Sequence, residues 1–188
     1  MYIFGYGSLL NSSSRRLTGQ TGPAIPVIIH GLIRHWTLIN DSYLLSPLAV
    51  SIGSGQVNGV LLKVDEHTLN EFDKREAGYQ RIEVKTHKVE TVEEEIDRTL
   101  TIWVYVTENI IAPTIEIPIV QSYVDTVIAG CLEVSENFAQ HFVENTKGWH
   151  HPLENDRNQP KYTRLAGVTS AHHELIDDLL LKSSAYSN

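Results

Sequence analysis

The sequence is short of several residue types that particular functions require. It has one cysteine, Cys131, so no intramolecular disulfide can form. Basic residues are outnumbered, since 15 Lys and Arg stand against 23 Asp and Glu, and the formal net charge of −8 argues against nucleic-acid binding. No stretch reaches the roughly 20 apolar residues of a membrane span, and no basic segment follows Met1. We therefore expect a cytoplasmic protein that binds neither nucleic acid nor membranes.

Metal-binding and nucleophile motifs are also missing. The nine histidines include the pairs His150-His151 and His172-His173, but their spacing fits no H-E-x-x-H or Cys/His pattern. Apolar neighbours surround Cys131, whereas a reactive thiol needs an electropositive, partly open setting. Ser8 lacks the G-x-S-x-G elbow, although a Ser/His/Asp triad on Ser8 remains an alternative. These patterns predict no metal site and disfavour a thiol nucleophile.

The composition is that of an ordinary globular protein. Of its 188 residues, 41% are hydrophobic and 20% are charged, which suits a single domain with a substantial core. Hydrophobic period divides the chain into a strand-rich part, 1–112, and a helix-rich part, 113–188. We predict one domain over 1–188 of the α+β class, with the second part forming a helical extension packed on the first.

Individual strands and helices are predicted from hydrophobic periodicity, helix-capping residues and turn residues. The predicted strands span 2–4, 24–38 (one long bent strand or two, interrupted by Pro26 and Gly31), 57–64, 79–92 and 99–106, with an acidic hairpin tip at 93–97. The predicted helices are one capped by Asp65, one beginning at Pro118, one capped by Ser135, and one over 174–181.

A glycine-flanked loop follows the first strand. The run Phe4 to Leu9 places Gly5 and Gly7 around Tyr6. Glycine leaves backbone N–H groups uncovered, so that successive amides can converge on an anion. No lysine follows in the Walker arrangement, so a carboxylate fits better than a triphosphate. The alternative is an ordinary glycine-rich turn that closes the strand.

One carboxylate stands where an apolar residue is expected. In the helix that follows Asp65, Leu69, Phe72 and Glu76 have the spacing i, i+3, i+7 and share one face. Glu76 also lies at the helix end, just before Gly78. A carboxylate partly shielded from water is suited to general acid/base chemistry.

Two structural alternatives compete for Glu76. It could form an ion pair with Arg75 or Arg81, or the helix could end early and leave it exposed. Asp73 is the second-choice carboxylate of this helix. The polar run 155–158 is interpreted as a hydrogen-bonded turn, with pocket lining as the alternative.

Together these segments resemble the γ-glutamylcyclotransferase-like family, also called the AIG2-like or BtrG-like group. The first mark is the loop Tyr6-Gly7-Ser8-Leu9, and the second, about 70 residues later, is the helix end and strand start Phe72–Arg81. Tyr105 corresponds to a strand tyrosine that often lines the family's pocket. The tail resembles an extension found in one bacterial branch, with marks at 121–123, 148–149 and 155–157.

The resemblance implies a small mixed β-barrel, partly closed, with helices around it. It implies an enzyme in which the α-amine of a γ-glutamyl group attacks its own γ-carbonyl, releasing an amine and 5-oxoproline. The substrate is then a small γ-glutamyl amine or peptide, and no cofactor is needed. The implied acid/base residue is Glu76, and the implied substrate-binding residues are Tyr6, Gly7, Ser8, Leu9 and Tyr105. The alternative function is a non-catalytic small-molecule binding or interaction protein on the same fold.

Overall fold

The structure is organised around a strongly curved sheet. The computed structural model describes residues 1–20, 22–39, 44–92 and 95–184. The strands are β1 (Tyr2–Gly5), β2 (Ala24–Trp36), β3 (Leu48–Lys63), β4 (Gln80–Val84), β5 (Val89–Thr91), β6 (Ile102–Val106), β7 (Ile119–Val120), β8 (Thr146–Lys147) and β9 (Leu153–Glu154). The α-helices are α1 (Ser12–Arg16), α2 (Glu66–Arg75), α3 (Gln121–Leu132), α4 (Glu136–Glu144) and α5 (Ser170–Ser184). Short 3-10 helices span Ser8–Leu10 and Thr86–Lys88.

The main sheet has seven strands and curls on itself. Six strands follow the order β4-β6-β1-β3-β2-β5, and β8 pairs with β2. The C-terminal end of β3 pairs with β1, whereas Val50 near its start accepts a 2.9 Å hydrogen bond from the N–H of Thr107, just after β6. The 16 residues of β3 therefore reach around the sheet and close it into a half-barrel. This confirms the predicted α+β fold.

The segment 24–38, predicted as one bent strand or two, contains a single strand, β2. Its pairing with β3 shifts register between His30 and Leu32, and Gly31 there has φ +91°. Only glycine adopts that conformation readily, so the bulge falls at this residue. Pro26 keeps its place in the ladder, opposite Val60.

Other strands differ from prediction in length and partner. The strand predicted at 57–64 begins nine residues earlier, at Leu48. The segment predicted as one strand over 79–92 contains β4, a 3-10 turn and β5. β4 pairs with β6 as predicted, but β5 pairs with β2, because the turn at Thr86–Lys88 redirects the chain to the other edge. In the predicted acidic tip, Ile96 is buried, and positions 93 and 94 lie outside the described residues.

The helix predicted from Pro118 begins at Gln121. Ile119 and Val120 instead pair in parallel with Leu153 and Glu154, so the chain is extended before it turns helical. The predicted caps are confirmed, because the Asp65 side chain accepts from Thr68 N–H and the Ser135 side chain accepts from Phe138 N–H. The final helix, α5, begins at Ser170, four residues before the predicted start.

The sheet is buried on both faces. One face encloses a core inside the half-barrel, which includes Phe4, Leu61 and Ile102. The other face packs Val60 and Leu62 against α3, α4 and α5. Residues 1–112 and 113–184 thus share a core, whereas the predicted boundary at residue 112 stays a prediction.

Helix α3 is the centre of the second core. Eleven of its 12 residues are buried, because it lies between the sheet and the other helices. Burial raises the pKa of Cys131 to about 12, so its thiol stays protonated at neutral pH. None of the helices in the described part of the chain is long and apolar enough to cross a membrane.

Candidate active site

A cavity of about 230 Å³ lies at the end of β1. All six residues predicted for the site line it: Tyr6, Gly7, Ser8, Leu9, Tyr105 and Glu76. We call the lining residues within 5–9 and 72–79 the N-terminal wall of the cavity, and Tyr123 and Arg164 its C-terminal wall. The remaining lining residues are Ile3, Phe4, Ile39, Pro47, Leu48 and Tyr105.

The loop after β1 is held from both sides. The hydroxyl of Tyr6 donates a 3.0 Å hydrogen bond to the carbonyl of Tyr105, which joins the loop to β6. Burial raises the pKa of Tyr6 well above its usual value, so this hydroxyl stays a donor at neutral pH. At Gly7 a Cβ would lie 2.9 Å from the hydroxyl oxygen of Tyr123, so a larger residue at this position would have to displace the end of that side chain.

The loop also presents unused backbone donors. Among the described residues, none accepts a hydrogen bond from the N–H of Gly7, Ser8 or Leu9. These three residues line the cavity in succession. Adjacent amides of this kind can bind a carboxylate or a developing oxyanion.

Glu76 is placed by a turn at the end of α2. The helix ends at Arg75, and the N–H of Glu76 donates to the carbonyl of Phe72 at 2.8 Å. The N–H of Tyr79 then donates to the Glu76 carbonyl at 3.0 Å, and Gly78 has φ +101°. The positive φ of Gly78 lets the chain reverse toward β4. As a result both Glu76 and Tyr79 line the cavity.

The carboxylate of Glu76 has one paired oxygen. Its Oε1 lies 2.9 Å from Nε of Arg75, whose guanidinium in turn lies 4.3 Å from the ring centre of Phe72. Its Oε2 accepts no hydrogen bond from the part of the chain that the structure describes. The Glu76 side chain is 26% exposed, so it is shielded but open to the cavity. Of the alternatives for Glu76, the ion pair with Arg75 is the one observed.

Asp73, the other carboxylate considered for the site, is hydrogen-bonded to Tyr105 and Arg81. It accepts a 2.8 Å hydrogen bond from the hydroxyl of Tyr105 and a 2.6 Å hydrogen bond from Arg81. Burial raises the pKa of Tyr105, and its bond to Asp73 acts in the same direction. Asp73 does not itself line the cavity. The second-choice carboxylate therefore orients Tyr105 and leaves Glu76 as the carboxylate at the cavity surface.

Sequence reasoning missed the C-terminal wall. Tyr123 comes from α3, and Arg164 comes from the loop between β9 and α5. Tyr123 lies in the helix predicted from Pro118. Its position in an amphipathic helix predicts that the side chain is buried, but it does not predict a pocket. Arg164 carries no local signal, because nothing in its neighbourhood predicts contact with residues near the N-terminus.

The run 155–158 lies outside the cavity and anchors this loop. Asp156 accepts hydrogen bonds from the N–H and hydroxyl of Ser122 and from the N–H of Lys161, at 2.6–2.7 Å. Arg157 donates to both Asp125 and Asp177. The predicted hydrogen-bonded turn is therefore present, and it ties the loop to α3 and α5.

The histidines form no cluster with other metal ligands. Within the described ranges, no three His, Cys, Asp or Glu side chains are grouped so that they could hold a metal ion. The rings of His150 and His151 lie 4.0 Å apart between centres and are tilted relative to each other. Among described residues, Ser8 has no hydrogen bond to a histidine that would suggest a triad.

Comparison with known structures supports the fold. A gamma-glutamyl cyclotransferase is 18% identical with a TM-score of 0.54, over 94% of this chain and 98% of that chain. An uncharacterized protein from Homo sapiens is 19% identical with a TM-score of 0.54, over 94% and 97%. YkqA from Bacillus subtilis is 19% identical with a TM-score of 0.54, over 79% of this chain and 56% of that chain. The first two alignments extend past residue 122 into the C-terminal helices.

Sequence comparison identifies the family. No curated protein sequence matches the chain significantly. Residues 3–122, which are more than half of the chain, match the family described as gamma-glutamyl cyclotransferase, AIG2-like. This region contains both the loop after β1 and the end of α2. The chain therefore belongs to the gamma-glutamyl cyclotransferase, AIG2-like family.

Proposed function

We propose that this protein is an enzyme that cyclises γ-glutamyl compounds to 5-oxoproline. The nitrogen of the substrate's α-amine attacks its own γ-carbonyl carbon, and a ring C–N bond forms. The original γ C–N bond then breaks, and the leaving amine takes up a proton. The observation that carries the proposal is the cavity in which Glu76 and the loop Tyr6–Leu9 come together.

Glu76 is the proposed proton carrier. Its oxygen Oε2 is without a described hydrogen-bond partner, so it is open to accept the proton that the α-ammonium must lose before attack. The same carboxyl group then returns a proton to the leaving nitrogen. Arg75 holds the other oxygen, Oε1, and so fixes the direction of the carboxylate.

The loop after β1 is the proposed binding site for the glutamyl end. The N–H groups of Gly7, Ser8 and Leu9 are available as donors to the α-carboxylate and to the oxyanion that develops on the γ-carbonyl. Tyr6 and Tyr105 are joined to each other and to Asp73, so they form a firm side of the pocket.

The size of the cavity supports an intramolecular reaction. A volume of about 230 Å³ is small, so a bound γ-glutamyl chain is confined with its amine near its γ-carbonyl. Such proximity supplies much of the rate in ring-closing steps. The proposed chemistry needs only proton transfer, amide donors and confinement, and thus no metal or organic cofactor.

The test is a product assay on a substrate panel. Purified protein is incubated with γ-glutamyl dipeptides, γ-glutamyl amines and glutathione, and 5-oxoproline is followed by mass spectrometry. Product from the parent protein but not from Glu76→Gln is the expected result. Binding without product across the panel would instead favour the non-catalytic alternative, for which the Arg75–Glu76 ion pair is the supporting observation.

A further inference from the structure

The described lining of the cavity has an unbalanced positive charge. Its charged side chains are Arg75, Glu76 and Arg164. Arg75 and Glu76 neutralise each other in an ion pair. Burial raises the pKa values of the lining residues Tyr6 and Tyr123, which keeps both neutral. Arg164 therefore leaves a net charge of about +1.

Arg164 has no anionic partner among the residues that the structure describes. No carboxylate of the described residues lies within 4.0 Å of its guanidinium nitrogens, whereas Arg75 has one such partner and Arg157 has two. Its guanidinium carbon lies 5.8 Å from the ring centre of Tyr162. An arginine without a carboxylate partner at a cavity wall keeps its planar set of donors for a ligand.

The position of Arg164 is fixed by the fold. The rings of Tyr162 and Tyr123 are in tilted contact, with 4.8 Å between their centres, and the Tyr123 hydroxyl lies against Gly7. The N–H of Tyr162 also donates to the hydroxyl oxygen of Ser122 at 3.2 Å, which ties the loop to α3. Arg164 is thus held on a firm loop beside the residues proposed to bind the glutamyl end.

Charge balance indicates what Arg164 binds. This step rests on the proposed function. A γ-glutamyl group has one α-carboxylate and one α-ammonium group at neutral pH, so by itself it is neutral overall. The described lining, with a net charge of about +1, is complementary to a substrate with one further negative charge, which must lie on the leaving amine. If the leaving amine is neutral, Arg164 has no anionic group to bind. If the leaving amine carries a positive charge, Arg164 repels it.

We propose that Arg164 determines substrate specificity by binding a carboxylate on the leaving amine. The preferred substrates are then γ-glutamyl amino acids or peptides with a free carboxylate, rather than neutral or cationic γ-glutamyl amines. The contact is an arginine–carboxylate hydrogen bond, which is stronger than a bond between neutral groups. Arg164 acts in binding, and Glu76 remains the proposed proton carrier.

The test compares two ligands that differ in one charge. They are γ-glutamyl-alanine and its C-terminal carboxamide, which has nearly the same shape. We expect kcat/KM of the parent protein to favour the acid about tenfold or more. Arg164→Gln should bring the ratio close to one, and Arg164→Lys should keep part of the preference. Arg16→Gln, at an exposed position outside the cavity, is the matched control and should keep the parent's ratio.

The outcomes separate this inference from the proposed function. Equal kcat/KM for acid and carboxamide in the parent would overturn the inference. Equal losses for both ligands in Arg164→Gln would also overturn it, because Arg164 would then bind the α-carboxylate that both ligands share.

Absence of 5-oxoproline from both ligands would refute the proposed function, and calorimetry would then decide the role of Arg164. Tighter binding of the acid that is lost in Arg164→Gln supports the inference. Equal binding of both ligands refutes it.

Discussion

The two walls of the cavity are built in different ways. The N-terminal wall comes from two short segments, and backbone bonds among Phe72, Glu76 and Tyr79 shape its helical part. The C-terminal wall comes from α3 and a distant loop, and buried polar side chains such as Asp125 and Asp156 hold it. Local hydrogen bonds thus place the proposed catalytic carboxylate, and long-range ones place the proposed specificity residue.

This difference predicts different consequences of mutation. Changes in the N-terminal wall should reduce activity and leave the free energy of unfolding nearly unchanged. Substitutions of the buried polar side chains that hold the C-terminal wall should lower the free energy of unfolding and reduce the preference between substrates. The predictions below test that contrast, beginning with the largest expected effect.

The largest effect is expected for Glu76→Gln. A proton carrier contributes about 100-fold or more to the rate, so kcat should fall by at least that factor. Asp73→Asn, in the same helix, should cause a much smaller loss, because Asp73 orients Tyr105 from outside the cavity. Steady-state kinetics and thermal unfolding of both variants would check this. A greater loss in Asp73→Asn would exchange the roles of the two carboxylates.

The next effect concerns the support of the C-terminal wall. Arg157→Met leaves Asp125, whose side chain is 1% exposed, without its arginine partner. Breaking a buried ion pair costs about 3 kcal/mol of unfolding free energy, and the Arg164 loop should loosen.

Asp177→Asn is the matched control for Arg157→Met. It removes the charge of Asp177, a partner of Arg157 whose side chain is 50% exposed. The substitution should lower the free energy of unfolding by about 0.5 kcal/mol. Urea unfolding measures both variants. If both substitutions lower the free energy of unfolding by the same small amount, the ion pairs of Arg157 with Asp125 and Asp177 contribute little to stability.

A third prediction concerns the packing of α3, which carries Tyr123, against the chain just after the loop Tyr6–Leu9. At Gly130 of α3 an added Cβ would lie 2.6 Å from the carbonyl carbon of Leu10. Gly130→Ala should therefore lower the free energy of unfolding by about 1–2 kcal/mol, after the gain in helix propensity is subtracted. Gly22→Ala, where nothing lies within 4 Å, should not destabilise the protein. Unchanged thermal unfolding of Gly130→Ala would contradict the close packing of α3 on this loop.

The smallest effect is expected outside both walls, at His141 of α4. Burial lowers the pKa of His141, and the nearby Arg34 guanidinium acts in the same direction. As pH falls below about 6.5, the unfolded chain therefore takes up this proton before the folded one does. The stability that neutral His141 provides is present above that pH and is lost as pH falls toward its lowered folded pKa.

Unfolding of His141→Leu measured between pH 7.5 and about 5 tests this prediction. This variant should lose part of the parent's fall in stability over that range. Gln140→Leu, at the exposed neighbouring position, should keep the parent's pH dependence. An unchanged slope in His141→Leu would refute the assignment, and neither variant should alter substrate preference.

Much of the N-terminal wall was predictable from the sequence. The cap at Asp65, the helix that follows it and the glycines around Tyr6 depend on short-range rules, and the structure has them. The gathering of Glu76 with Tyr6–Leu9 was expected from the order of two motifs. Their catalytic and binding roles stay predictions.

Partners and distant contacts were not predictable. The sequence left Glu76 with two possible arginine partners, and packing assigned Arg75 to Glu76 and Arg81 to Asp73. The strand pattern likewise predicted one strand over 79–92, but neither the turn that divides it nor the pairing of β5 with β2. Hydrophobic periodicity and composition indicate which face of a helix or strand is buried. Which strands or side chains pair depends instead on tertiary contacts between residues that are distant in the sequence.

Local patterns in the chain were enough to predict the family, the α+β class and the proposed site residues of the N-terminal wall. The position of Tyr123 against Gly7, and of Arg164 in the same cavity, came from folding of the whole chain. The two sets of features differ in how far along the chain their interactions extend. Caps, turns and helix faces depend on neighbours within a few residues, but the second wall depends on burying α3 between the sheet and helices far along the chain.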